Sequence, residues 1–269
     1  MGNDILLGFA VTLFAGLCTG IGSILAFFTK RTNTRYLSLA LGFSAGVMIY
    51  VSMIEIFFKA KTALIAELGV QKGSWLTVIA FFGGMGLIAL IDKCIPHNEN
   101  PHEIKMVEDM PSTLTPVQNK KLLKTGTFVA LSIAIHNFPE GLATFVATIN
   151  DPSLGIAIAT AIALHNIPEG IAVSIPVYYA TGSRKKAFIL SFLSGVTEPV
   201  GAVIGYLLLM PFMSDTLFGV LFAAVAGIMV FISIDELLPA AREYGEHHLS
   251  IYGLVAGMAV MAVSLLLFI

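Results

Sequence analysis

The sequence predicts an all-α integral membrane protein with eight transmembrane helices, and two observations lead to this prediction. First, 57% of the 269 residues are hydrophobic and only 12% are charged, whereas a soluble globular domain carries about 25% charged residues. Second, the chain contains eight apolar segments close to the ~20 residues that a helix needs to cross a bilayer. These segments lie near 4–28, 36–58, 74–92, 125–148, 154–178, 187–210, 216–238 and 249–269.

The segments follow one another with short connections, so we expect one transmembrane domain that covers residues 1–269. The first segment lacks the cationic residues that precede a secretory signal, and it is therefore expected to remain as a span. The exception among the connections is 93–124, a polar stretch with four prolines. This composition favours a flexible loop.

The positions of the cationic residues predict the orientation of the spans. Twelve of the fifteen Lys and Arg residues fall in the connections after spans 1, 3, 5 and 7, and only Lys59, Lys61 and Lys72 fall on the other side. Cytoplasmic connections of membrane proteins carry an excess of Lys and Arg. The sequence therefore predicts a multi-pass protein of the cytoplasmic membrane, with both termini outside and 93–124 in the cytoplasm.

Acidic residues, in contrast, fall inside the predicted spans. No Lys or Arg is expected within these spans. These acids are Glu55, Glu140, Glu169, Glu198, Asp235 and Glu236, and His136 and His165 accompany them. An ionisable group at mid-bilayer costs about 2.5–3.5 kcal/mol on the insertion scale. Without protein cations, the acids would be stabilised by protonation, by water or by a cation from outside the chain.

The middle of the chain contains two copies of one motif, His-Asn-x-Pro-Glu-Gly, at 136–141 and 165–170. Because residues four apart are neighbours on a helix, the His and Glu of each copy are expected on one face. The proline removes a backbone donor and frees a carbonyl one turn earlier. Each copy therefore offers an imidazole, a carboxylate, an amide and a carbonyl at one point of an apolar helix.

Imidazole and carboxylate groups together favour divalent transition ions such as Zn²⁺, Fe²⁺, Mn²⁺ or Co²⁺ over Ca²⁺ or Mg²⁺. The candidate metal ligands are His136, Glu140, His165 and Glu169, with Asn137, Asn166 and Glu198 as further contributors. Two ions that share carboxylates would also fit this set. A single intramembrane histidine could instead form a hydrogen bond between helices. The identical second copy of the motif argues against this interpretation. The two cysteines are not spaced as a pair, so no thiolate cluster is expected.

A weaker repeat relates the two ends of the chain. The aligned stretches are 45–55 with 226–236, in which five of eleven residues are identical, and 15–19 with 194–198, with Gly22 facing Gly201. In the predicted orientation the aligned spans run in opposite directions, so spans 1–3 and 6–8 would form an inverted repeat around spans 4 and 5. Inverted repeats are typical of secondary transporters. Chance similarity between Gly- and Ala-rich helices is the alternative.

These features together resemble the ZIP (Zrt/Irt-like protein) metal-ion transporters, and more closely their bacterial zinc-uptake branch. The resemblance rests on the paired motif in spans 4 and 5, Glu198-Pro199 in span 6 and the long third loop. It implies an eight-helix bundle, a binuclear centre between spans 4 and 5, and metal uptake into the cytoplasm by alternating access. It places metal ligands on the seven residues named above and pathway residues on Met48, Glu55, Asp235 and Glu236.

The main alternative function is a membrane-embedded metal-dependent hydrolase. Zinc peptidases place a general-base Glu between two histidines of one helix, as H-E-x-x-H. Here Asn137 and Asn166 occupy that Glu position, and Glu140 and Glu169 replace the second His. The sequence therefore favours a transporter without enzymatic activity or a prosthetic group. The expected partners are divalent metal ions and the lipid bilayer, and nucleic acid is not expected as a partner. A homodimer is an open alternative to a monomer.

Overall fold

A computed structural model describes residues 2–28, 34–94, 116–244 and 247–267, and all regular secondary structure in these ranges is helical. The prediction of an all-α membrane protein is confirmed for this part of the chain. Seven helical segments in it are long and apolar enough to cross a membrane. The first motif copy lies on a further long helix. Most of the predicted loop, 95–115, lies outside the described residues.

The helices follow one another in chain order. They are α1 (Gly2–Phe28), α2 (Thr34–Tyr50), α3 (Phe57–Leu68), α4 (Val70–Cys94), α5 (Pro116–Asn150), α6 (Pro152–Thr181), α7 (Arg184–Ile204), α8 (Asp215–Ile232), α9 (Leu238–Tyr244) and α10 (His247–Leu267). Wider π-helical turns, Val51–Ile56, Gly205–Leu209 and Ser233–Leu237, continue α2, α7 and α8, and a short 3-10 turn, Met210–Phe212, follows the second of them. Such π-helical turns are rare and are frequent at functional sites.

Two helices extend beyond the boundaries that the sequence indicated. The chain stays helical from Thr34 to Leu68 and reverses at Gly69, whose φ of 79° is a conformation that glycine adopts without strain. Helix α5 begins at Pro116, so 116–124 of the predicted loop are helical. Proline suits this position because its fixed φ fits the first helical turn and no donor is lost there.

The expectation that every Lys and Arg lies in a connection is wrong for the described residues, because α3 carries Lys59. Lys59 Nζ lies 3.9 Å from Glu55 Oε1, one helical turn earlier, and 3.6 Å from Asp151 Oδ2. Glu55 therefore does have a protein cation beside it. The reason is that the second span continues past residue 58, so the residues that follow remain on the same helix.

The helices form two groups that share one apolar core. Helices α1, α5, α6 and α7 pack against one another, and α2, α3, α4, α8 and α10 form the second group. The groups meet where α2 contacts α6 and where α5 contacts α8. Buried apolar residues of both groups belong to one contiguous cluster. The two motif helices thus lie at the boundary between the groups.

Glycines set the closest crossings of the motif helices. A Cβ atom on Gly141 would overlap the backbone oxygen of Glu198, and a Cβ atom on Gly170 would overlap that of Thr19. The last residue of each motif copy therefore brings its helix into backbone contact with a neighbour. Helix α5 contacts α7 in this way, and α6 contacts α1.

Two adjacent glycines on α4 provide a test of this packing. Gly84→Ala should lower the melting temperature of the purified protein in detergent, because its Cβ atom would overlap the carbonyl oxygen of Ala224. Overpacking of this kind costs about 1–3 kcal/mol. Gly83→Ala is the matched control, since no described atom lies within 4 Å of its Cβ position. Alanine there should keep or raise the melting temperature. Equal melting temperatures would contradict the close packing of α4 on α8.

Candidate metal centre

The structure brings the seven predicted ligand residues together inside the bundle. His136, Asn137 and Glu140 lie on α5, His165, Asn166 and Glu169 lie on α6, and Glu198 lies on α7. None of these side chains is more than 2% exposed. Helices α5 and α6 continue through the prolines of the motif. Polar side chains that are buried this deeply normally have hydrogen-bond partners, so their contacts decide what the cluster can do.

The histidines pair with glutamates across the two motif copies. His136 Nε2 lies 3.3 Å from Glu169 Oε1, and His165 Nε2 lies 3.2 Å from Glu140 Oε2. The sequence predicted that each His and the Glu of its own copy share a helix face. The structure adds that these faces of α5 and α6 point at each other, so the close pairs run between the copies.

The motif asparagines tie the two helices to their neighbours. Asn166 Nδ2 donates to the carbonyl oxygen of Ala15 on α1, at 2.8 Å, and to Glu198 Oε1 on α7. Asn137 Nδ2 donates to the carbonyl oxygen of Ser194 on α7, at 3.3 Å. Glu198 is thereby held next to the motif of α6, although it is distant in sequence.

The four predicted pathway residues occupy different surroundings. Glu236, on the π-helical turn after α8, approaches the cluster, and its Oε2 atom lies 3.9 Å from His136 Nδ1. Glu55 forms the ion pair with Lys59 described above. Met48 is buried on α2, and Asp235 is exposed. Of these four residues, Glu236 lies within ion-pair distance of a motif histidine, His136.

Many polar atoms of the cluster have no hydrogen-bond partner in the described part of the chain. Thirteen buried side-chain nitrogen and oxygen atoms there lack a hydrogen-bond partner, and nine of them belong to the seven predicted residues. Three of the nine, His136 Nε2, His136 Nδ1 and Glu169 Oε1, are close enough for an ion pair without hydrogen-bond geometry. Each such atom costs about 1–3 kcal/mol when it stays unsatisfied. Their concentration at one place indicates a site for a ligand that binds nitrogen and oxygen together.

The charges of the cluster indicate that this ligand is a cation. Glu140, Glu169 and Glu198 are buried there, and no lysine or arginine is among the buried side chains of the described residues. In those residues, no three His, Cys, Asp or Glu side chains already converge as a ligand set for one ion. A metal ion would therefore have to draw the His and Glu of each pair apart and toward itself.

One buried polar residue that contacts the second motif copy, Thr19 on α1, was not among the candidate residues predicted from the sequence. Its hydroxyl is buried and has no hydrogen-bond partner among the described residues. The available signal was its alignment with Glu198 in the weaker repeat. An uncharged polar residue in an apolar helix gives no functional signal by itself, because most such residues serve packing.

The sequence of this chain matches a known protein family and named relatives. Residues 94–265 match the model of a family described as ZIP zinc transporter. The chain is 65% identical over 269 residues to a protein named zinc transporter ZupT from Lysinibacillus sphaericus, with all of both chains covered. It is 66% identical over 265 residues to one of the same name from Oceanobacillus iheyensis, covering 98% of this chain and 99% of the relative.

The amide that bridges two helices can be tested without a transport measurement. Asn166→Ala should lower the melting temperature in detergent, because it removes the hydrogen bonds from α6 to the Ala15 carbonyl on α1 and to Glu198 on α7. The expected cost is about 1–3 kcal/mol. Asn150→Ala is the control, since the amide of Asn150 donates to Val146, within its own helix. A similar melting temperature for both variants would contradict the bridging role.

Proposed function

The chain belongs to the ZIP zinc transporter family, and we propose that it moves Zn²⁺ across the cytoplasmic membrane into the cell through this cluster. The protein is a transporter and not an enzyme; both the matching family and the relatives have the name zinc transporter. The observation that carries the proposal is a buried set of carboxylates and imidazoles without a buried lysine or arginine in the described residues. A transported cation supplies the charge that this set lacks.

The side chains that would bind the ion are those of the two His–Glu pairs, with Glu198 beside them. A zinc ligand must be a neutral imidazole or an ionised carboxylate, so a proton held between His and Glu would leave as the ion binds. When the ion departs, each His returns to within hydrogen-bonding reach of its Glu. Each pair would thus keep an imidazole beside a carboxylate while no ion is bound.

The chemistry of the ligands suits an ion that must also leave. Imidazole and carboxylate bind zinc without the thiolates of a tight structural site. Because the same ligands accept other divalent transition ions, we include Fe²⁺, Mn²⁺ and Co²⁺ in the substrate range. Two pairs and a third carboxylate provide enough groups for a binuclear site. The motif asparagines would contribute the oxygen atoms that have no hydrogen-bond partner in the described residues, Asn137 Oδ1 and Asn166 Oδ1.

The proposal includes an inverted repeat of spans 1–3 and 6–8 around the motif helices. Equivalent contacts at aligned positions support it. Gly22 and Gly201 align, and a Cβ atom on Gly22 would overlap the backbone oxygen of Ile167, whereas one on Gly201 would overlap that of Phe138. Ile167 and Phe138 occupy the third position of the two motif copies. Both contacts therefore join an aligned glycine to the same motif position.

The second aligned stretch has a matching pair of contacts. A Cβ atom on Gly46 would overlap the backbone oxygen of Leu254 on α10, and one on the aligned Gly227 would overlap that of Phe81 on α4. Each glycine thus brings its helix against the last span of the other half. Chance similarity between apolar helices would not predict equivalent close crossings.

The proposed orientation places both termini outside and 93–124 in the cytoplasm, in a single transmembrane domain of residues 1–269. The cluster lies where the two groups of helices meet, which suits alternating access, since a relative movement of the groups would open either side. Glu55 would then lie toward the outside and Glu236 toward the cytoplasm, as the positive-inside count requires.

Transport is tested by Zn²⁺ entry into lipid vesicles that contain the purified protein and a zinc-sensitive dye. Glu140→Gln and His165→Ala should each reduce the initial uptake rate at least about tenfold, because each removes a ligand and leaves its former partner buried and unpaired. Glu67→Gln is the control, since Glu67 is an exposed carboxylate on α3. Uptake that persists in both cluster variants would contradict the proposed site, and wild-type protein without uptake would contradict the function.

The orientation is tested by labelling single cysteines in intact cells with a membrane-impermeant maleimide. In a background with Cys18→Ala and Cys94→Ala, Lys72→Cys should react from outside, because Lys72 is exposed near the start of α4. Glu99→Cys, in the predicted cytoplasmic loop, should react only after the cells are permeabilised. The reverse pattern would overturn the proposed topology.

A further inference from the structure

Thr19 on α1 differs from the other buried threonines of the structure. The hydroxyls of Thr12, Thr77, Thr144 and Thr148 each donate to the carbonyl oxygen four residues earlier, at 2.7–2.9 Å. The hydroxyl of Thr19 is equally buried, yet it has no partner among the described residues. Its environment therefore prevents the contact that a helical threonine ordinarily makes.

The cause is the motif asparagine of α6. The carbonyl oxygen four residues before Thr19 belongs to Ala15, and it accepts the amide of Asn166 at 2.8 Å. A carbonyl oxygen has two lone pairs, and the helix N–H and this amide together use both. Asn166 also donates to Glu198 Oε1. One side chain thus holds Glu198 in place and leaves the Thr19 hydroxyl uncommitted.

The hydroxyl lies where α1, α6 and α7 meet. A Cβ atom on Gly195 of α7 would lie 2.7 Å from Thr19 Oγ1, and one on Gly170 of α6 would overlap the Thr19 backbone oxygen. Gly195 lies one helical turn before Glu198, on the same face of α7. Glu198 Oε2 likewise has no partner in the described residues. The two unpaired oxygens, one neutral and one from a carboxylate, therefore belong to two helices that Asn166 joins, α1 and α7.

We propose that Thr19 Oγ1 is a further binding group for the transported cation, in contact with the ion or its bound water beside Glu198. This inference rests on the proposed transport function. A hydroxyl adds an oxygen contact without adding negative charge, so it assists ion binding without the retention that a further carboxylate would cause. The geometry also gives Asn166 a second role, because its amide keeps the Thr19 hydroxyl available to the ion.

The decisive variant is Thr19→Val, which keeps the shape of the side chain and removes the hydroxyl. In the vesicle measurement, the Zn²⁺ concentration for half-maximal uptake should rise about tenfold, as expected for the loss of one contact to a charged group. The melting temperature should stay the same or rise, since the hydroxyl has no protein partner to lose. Thr19→Ser, which restores the oxygen, should return the half-maximal concentration close to that of the wild type.

Thr12→Val is the matched control, because Thr12 is buried on the same helix and its hydroxyl donates to Gly8. It should leave the half-maximal concentration unchanged. Wild-type uptake by Thr19→Val would overturn the binding role of Thr19 while leaving the transport function intact. If Thr19→Val lowered both the melting temperature and the uptake, the hydroxyl would have a role in the fold. That result would also overturn the binding role of Thr19. Absence of uptake by the wild-type protein would instead overturn the proposed function itself.

Discussion

The burial of negative charge is the constraint on which this structure depends. Glu140, Glu169 and Glu198 lie inside an apolar bundle whose described part buries no lysine or arginine. The imidazoles of His136 and His165 pair with Glu169 and Glu140, and the amide of Asn166 donates to Glu198. This compensation is incomplete, because many nitrogen and oxygen atoms of the cluster remain unpaired. In the proposed function, a transported divalent cation would supply both the charge and the coordination that are missing.

The motif joins charge compensation to helix packing, and each of its positions has a separate physical role. The His and Glu residues of the two copies pair with each other, which couples α5 to α6. The asparagines bind carbonyl oxygens on α1 and α7, so both neighbours are fixed relative to the centre. The glycines allow backbone contact with these same neighbours. A change in the position of one helix would therefore alter the distances between the ligands on the others.

Much of this arrangement follows from the sequence, because its determinants are local. Composition predicted the membrane helices. The repeated motif predicted six of the seven residues that the structure brings together, and the Glu-Pro of the sixth span predicted Glu198. The pairing of His136 with Glu169 could not be predicted, since helix periodicity relates residues of one helix and says nothing about which face meets a neighbour. The ion pair of Lys59 with Asp151 was missed for a similar reason, because it depends on where the second span ends. The π-helical turns, Val51–Ile56 and Ser233–Leu237, lie at aligned positions of the weaker repeat, yet no residue pattern specifies a wider turn.

X-ray absorption spectroscopy at the zinc edge tests the central claim most directly, because it reports the atoms that surround the ion. Zinc bound to the purified protein should show a shell of nitrogen and oxygen at about 2.0–2.2 Å, with the outer scattering of imidazole rings. Glu140→Gln together with Glu169→Gln should abolish this bound zinc. A sulfur shell at about 2.3 Å would place the ion on a cysteine or a methionine instead. That result, or full zinc occupancy in the double variant, would contradict a centre built from the two His–Glu pairs.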